Sequence, residues 1–232
     1  MLIIGHRGAA GMKPENTLES LRASFEADVD IIEIDVRLTK DKIPVLVHDM
    51  HLWRTHRLPY LVNRLNYDEL IRRTSNSINP VTALDAVLEE FSGQVLLNLE
   101  LKDHGSAKKI LPTIKKYIKT PKDWDIFLFS SVYVKELQVI RNESKHAQLA
   151  LIHWFNPLRF LQAHRQLDLS GVGFHRLHVN SFVIATAKKM NLFTYAFTVN
   201  RPKAAQRLEE MGIDGIVTDL PHSMRLFFTK KS

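Results

Sequence analysis

Short runs of β-branched and other apolar residues alternate, from one end of the chain to the other, with stretches whose apolar positions recur at helical spacing. That alternation predicts βα units around a parallel sheet. Strands are predicted at about 2–5, 31–36, 95–101, 126–129, 148–152, 171–174, 193–199 and 215–218. Helices are predicted at about 17–27, 83–91, 107–118, 134–141, 158–166, 181–190 and 203–211, with a short one near 222–228. Eight strands in 232 residues fit an α/β chain folded as a compact (β/α)8 TIM barrel, a fold of about 250 residues, with residues 1–232 as a single domain. An open doubly wound sheet is the alternative, but the first βα turn, Gly5-His6-Arg7-Gly8-Ala9-Ala10-Gly11, lacks the glycine spacing of a dinucleotide site.

Local signals refine these elements. Leu18, Leu21 and Phe25 recur at helical spacing, and Asn16 with Glu19 reads as a capping box, which aims the first helix's N-terminus at the loop carrying His6. Residues 50–79 break the rhythm and read as a small insertion after strand 2, with a short helix at 67–72, covering part of the active-site face.

Composition narrows the chemistry. With 45% hydrophobic residues the chain can bury a large core, and with no cysteine it can make neither a disulfide nor a thiolate metal site. Any metal must sit on oxygen or imidazole. The apolar start, Met1 to Ile4, is too short for a signal peptide. No later run reaches membrane-spanning length, so a cytoplasmic protein without stable membrane insertion is expected. The net charge is +7, which favours anionic partners. The basic residues are dispersed, and Lys108, Lys109, Lys115, Lys116 and Lys119 have the spacing of an exposed helix face. A nucleic-acid partner is therefore not expected; a small anionic molecule is.

Strand parity then singles out a site. Side chains two apart share a face, so Glu33 and Asp35 point one way, as do Glu100 and Lys102, while Ile32, Ile34, Val36 and Val95, Leu97, Leu99, Leu101 take the opposite face toward the outer helices. Both charged pairs close a strand, at the C-terminal mouth where barrel active sites lie. Buried charges are costly unless paired or bound to metal. Three carboxylates suit a hard divalent cation, Ca²⁺ or Mg²⁺, better than zinc; a metal-free ion network with Arg7 and Lys102 is the bland alternative. His6 ends the first strand and His48 ends the run 44–47, so both reach the mouth and permit one acid and one base. Of the remaining histidines, His153, His164, His175 and His178 read as surface or packing residues, and His51 and His56 as solvent-exposed rather than lining the site. Arg7 and Lys102 put fixed positive charge beside the acids, and Gly8 to Gly11 would let backbone approach a phosphate ester.

The ordered set Gly5-His6-Arg7-Gly8, Pro14-Glu15-Asn16-Thr17, Glu33-Ile34-Asp35-Val36, His48-Asp49 and Glu100-Leu101-Lys102 resembles the glycerophosphodiester phosphodiesterase family. Leu52-Trp53-Arg54-Thr55, Phe129-Ser130-Ser131, Thr198-Val199-Asn200 and the run 212–221 extend the likeness over residues 3–221. The resemblance implies a barrel hydrolase that cleaves glycerophosphodiesters to glycerol 3-phosphate and an alcohol. It implies Glu33, Asp35 and Glu100 as metal ligands, His6 and His48 as the acid–base pair, and Arg7 and Lys102 as phosphate-contacting cations. The family's tryptophan before Thr-Val-Asn is Phe197 here, and its Gly-rich continuation after Thr55 is His56-Arg57-Leu58-Pro59-Tyr60. Two other readings follow: a lysophospholipase D-type enzyme, which would need an apolar acyl channel from Leu58, Tyr60, Leu61 and Val62, and a non-catalytic phosphodiester-binding barrel.

Overall fold

A computed structural model of the chain describes residues 1–153 and 159–230. In chain order the elements are β1 (Leu2–Gly5), α1 (Leu18–Glu26), β2 (Ile31–Leu38), β3 (Pro44–Leu46), α2 (Trp53–His56), α3 (Tyr67–Thr74), β4 (Thr82–Ala83), α4 (Leu84–Phe91), β5 (Leu96–Leu101) and α5 (Ser106–Ile114). There follow β6 (Phe127–Ser131), α6 (Val134–Glu143), β7 (Gln148–His153), α7 (Arg159–Leu167), β8 (Gly171–His175), α8 (Ser181–Lys189), β9 (Phe193–Phe197), α9 (Pro202–Glu210), β10 (Gly215–Thr218) and α10 (Pro221–Thr229). The predicted start of the seventh helix, residue 158, lies outside the described residues.

The eight parallel strands β1, β2, β5, β6, β7, β8, β9 and β10 are neighbours in that order, and β1 pairs with both β2 and β10, which closes the barrel and rules out the open sheet. Among the described residues no helix is long and apolar enough to cross a membrane. Parity holds throughout. Ile32, Ile34, Val36, Leu97, Leu99 and Leu101 join the outer core against the helices, whereas Ile4, Ile31, Leu128, Ala150, Tyr195 and Val217 fill the barrel interior. Gly173 makes room there: a Cβ on it would stand 2.6 Å from the Tyr195 ring.

Three local features differ from expectation. The N-cap of α1 is Thr17, whose hydroxyl accepts from the Ser20 N–H, because Asn16 has φ 59° and spends its side chain on Asp35. The break after β2 begins earlier than residue 50: β3 pairs antiparallel with β2, and β4 with β3, so a short ribbon carries the chain out of the barrel and back. The fifth helix stops at Ile114 and gives way to a 3-10 turn, Lys115–Tyr117, short of the predicted 118.

Candidate active site at the barrel mouth

The β2–β5 register sets Glu33 beside Asn98 and Asp35 beside Glu100. Ligand oxygens of Glu33, Asp35 and Glu100 lie within 4.8 Å of one another. Asp35 is 1% exposed and Glu33 4%. Three residues hold Asp35 through four contacts. Arg7 Nε is 3.1 Å from Oδ2 and Lys102 Nζ 3.1 Å from Oδ1, Asn16 Nδ2 donates to Oδ2 at 2.9 Å, and the Asp35 N–H donates to Asn16 Oδ1 at 3.1 Å. Burial alone would push the Asp35 carboxyl up, but Lys102 and Arg7, with His48 and the Asn16 bond, hold it far below the carboxylate range. Glu33 goes the other way: burial first, then Asp35 and Glu100, push it well above its ordinary value. Its Oε2 accepts from the Arg7 N–H at 2.8 Å, while its Oε1 is buried with no hydrogen-bond partner. A hard cation would satisfy that orphan oxygen and offset the crowding of three acids, so the donor set fits one.

Both histidines stand on carboxylates. His6 follows β1, and its Nδ1 is 2.5 Å from Asp219 Oδ1. Asp219 follows β10 and is fixed by Asn200 beyond β9, which donates to its Oδ2 and accepts its N–H at 2.9 Å. His48 follows β3, with Nδ1 2.6 Å from Asp49 Oδ1. Asp49 in turn pairs with Arg54, which also donates to both Glu15 oxygens at 2.6 and 2.8 Å, and Glu15 accepts from Arg7 at 2.9 Å. With Nδ1 engaged, Nε2 is the nitrogen that remains on each ring. Burial, together with Lys102 and Arg7 and against the pull of Asp35, holds His48 below its ordinary value.

His6, Arg7, Glu33, His48, Glu100 and Lys102 line one cavity of about 180 Å³, and Asp35 lies buried beside it. All seven predicted residues therefore converge. Gly8 has a packing role: at φ +82° its bare Cα lets the loop pass the Ser20 backbone, which a Cβ would meet at 2.5 Å. His153 is a packing residue, set between Phe160 and Phe174 and pushed down to about 4 by burial and by Arg159. His175, expected at the surface or in packing, lines the cavity, whereas His51 and His56 do not. Val62 is buried, and Leu58 and Tyr60 pack, in a separate cluster with Val45, Leu52 and Leu70, and neither they nor the half-buried Leu61 line the cavity. Glu15, Asp49, Arg54, Asn200 and Asp219 also belong to the site's network, and all five stand within the motifs that carry the family resemblance. Their order along the chain was the available signal.

A closed parallel barrel carrying clustered carboxylates and two carboxylate-backed histidines at its C-terminal mouth has the architecture of a barrel hydrolase. The family model described as "Glycerophosphoryl diester phosphodiesterase family" matches residues 6–223. The chain belongs to that family and is an enzyme of it. It is 31% identical to YhdW of Bacillus subtilis (strain 168) over 95% of each chain, and 29% identical to a glycerophosphodiester phosphodiesterase of Bacillus altitudinis over 94% of each. Its fold superposes on an Oleispira antarctica phosphodiesterase, solved in complex with the product sn-glycerol-3-phosphate, with TM-score 0.88 and 25% identity over 99% of this chain and 97% of that one. A Thermotoga maritima glycerophosphodiester phosphodiesterase shares the fold at TM-score 0.82 and 24% identity, with 100% and 98% covered.

Proposed function

We propose that the chain, acting as one domain, hydrolyses water-soluble glycerophosphodiesters to glycerol 3-phosphate and an alcohol. The observation that carries this reading is the convergence of Glu33, Glu100, Arg7, Lys102 and two histidines in one cavity, with Asp35 buried beside it within the same acid cluster. The product bound to the Oleispira antarctica relative supports the substrate class. The separate packing of Leu58, Tyr60 and Val62 supports a soluble diester over a lysophospholipid.

Glu33, Asp35 and Glu100 would hold Ca²⁺ or Mg²⁺, which when bound offsets charge on the phosphoryl oxygens. Arg7 and Lys102, already committed to the acids, hold the diester's anionic oxygens beside them. Asp219 and Asp49 each accept the Nδ1 proton of their histidine, which fixes the tautomer and leaves Nε2 for proton transfer. One histidine takes the proton of the attacking hydroxyl at Nε2, and the other, protonated there, gives its proton to the leaving alkoxide. Assay of glycerophosphocholine against lysophosphatidylcholine, with and without chelator, tests this. Turnover of the soluble diester alone, lost on chelation, is expected. Turnover of only the lipid, or full activity in the chelator, overturns it.

A further inference from the structure

Arg176 follows β8 and lines the same cavity as His6, Arg7 and Lys102. In the closed barrel β8 is four strands from β2 in either direction, so Arg176 faces the acids across the mouth. The other two cations of the cavity are compensated: Arg7 by Glu15 and Asp35, Lys102 by Asp35 and Glu100. No carboxylate pairs with Arg176 among the described residues, and residues 154–158, Trp-Phe-Asn-Pro-Leu, contain no acid. Yet the residue is held in place. Its backbone N–H donates to the Phe197 carbonyl at 2.9 Å, and Nη1 donates to the Thr198 carbonyl at 3.1 Å.

Carbonyls are neutral, so the Nη1 bond orients the guanidinium without cancelling its charge. A guanidinium has five N–H donors in a planar fork suited to phosphate or carboxylate. Its neighbour His175 is held below its ordinary value by burial, then by Arg176 and His178, so Arg176 supplies the charge of this wall. A substrate whose scissile phosphate lies at Glu33, Asp35 and Glu100 meets Arg176 with its far end. The glycerol arm of a glycerophosphodiester is uncharged, so an anion there belongs to the leaving alcohol. We propose that Arg176 is a specificity-determining residue that binds a second anionic group on that alcohol. On this view, which rests on the proposed function, the preferred substrates are glycerophosphodiesters whose alcohol itself carries a phosphate group, and a choline head group is disfavoured by like charge.

Three diesters that differ in the charge of the alcohol test it: glycerophosphocholine, glycerophosphoglycerol and bis(glycerophospho)glycerol, each cleaved by one water to glycerol 3-phosphate and the alcohol. The expected kcat/KM is highest for the doubly anionic diester, about tenfold or more above the choline ester. In R176A the anionic substrate loses most of that advantage through KM, R176K keeps part of it, and added salt erodes it in the wild type but not in R176A. An equal loss on all three substrates in R176A would reduce Arg176 to a brace for Thr198 and overturn the proposal. So would an unchanged preference, or a choline ester hydrolysed best. Failure of all three diesters to turn over would sink the proposed function and this inference with it; turnover without a charge preference sinks the inference alone.

Discussion

His6 and His48 are placed by bonds to side chains rather than by their strands alone. Asp219 and Asp49 hold Nδ1 of each ring, and Asn200 and Arg54 hold those carboxylates in turn. Replacing His6 or His48 by alanine is expected to lower kcat by about 10²–10⁴-fold with little change in the melting temperature, since both rings are partly exposed; an active H48A would remove His48 from the chemistry. Asp219→Asn keeps the shape but not the charge, so a smaller loss in kcat than H6A is expected, with a shifted pH–rate profile. An unshifted profile would assign Asp219 to structure only. The carboxylates and Lys102 are legible in the sequence because strand parity is local. Asp219 is not, because its partner lies 213 residues away and no periodicity links them. The cap of α1 is not legible for a related reason: Asn16 with Glu19 and Thr17 with Ser20 both satisfy cap spacing, and only the tertiary bond to Asp35 decides which residue caps.

At the scale of elements, a buried carboxylate organises one helix start outside the cavity. Glu136, 4% exposed on α6, accepts from the N–H groups of Gly105 and Ala107 at 2.8 and 3.0 Å and so caps α5, which lacks a side-chain cap of its own at Gly105. Opposing two orphan amides with a carboxylate complements the helix dipole. Glu136→Ala is expected to destabilise the fold by about 1–3 kcal/mol, read by denaturant unfolding, with kcat unchanged because Glu136 does not touch the cavity. A large loss of activity at full stability would contradict that separation. The eight barrel strands and the helices between them are legible because each repeats a period over several residues. β3 and β4, three and two residues long, are too short to show one, so the run 44–47 is legible only as an apolar stretch ending at His48, and its antiparallel pairing with β2 and β4 is not.

For the whole molecule, barrel closure makes β1 a neighbour of both β2 and β10, and so sets Arg7 against Glu33 and Asp35 on one side and His6 against Asp219 on the other. The resulting charge crowding links stability to pH and to metal. Glu33 has a raised pKa from burial, Asp35 and Glu100, so above the ordinary carboxylate range the metal-free fold keeps a proton that the unfolded chain has released. Stability of the metal-free protein therefore falls as pH rises through that window. Asp35 has the opposite sign: its contribution is present above the ordinary carboxylate range and is lost only in stronger acid, outside the window. A divalent cation needs Glu33 ionised, so binding expels its proton and tightens as pH rises, and the fold gains RT ln(1 + [M]/Kd). Melts with Ca²⁺ or Mg²⁺ against chelator, from about pH 5 to about pH 8, should show a metal-induced rise in Tm that grows with pH, and Glu33→Gln should flatten that growth. A rise independent of pH would mean that Glu33 binds no cation. No rise at all, with turnover intact in chelator, would leave the three acids as an ion network with Arg7 and Lys102 and return the chemistry to the histidines alone.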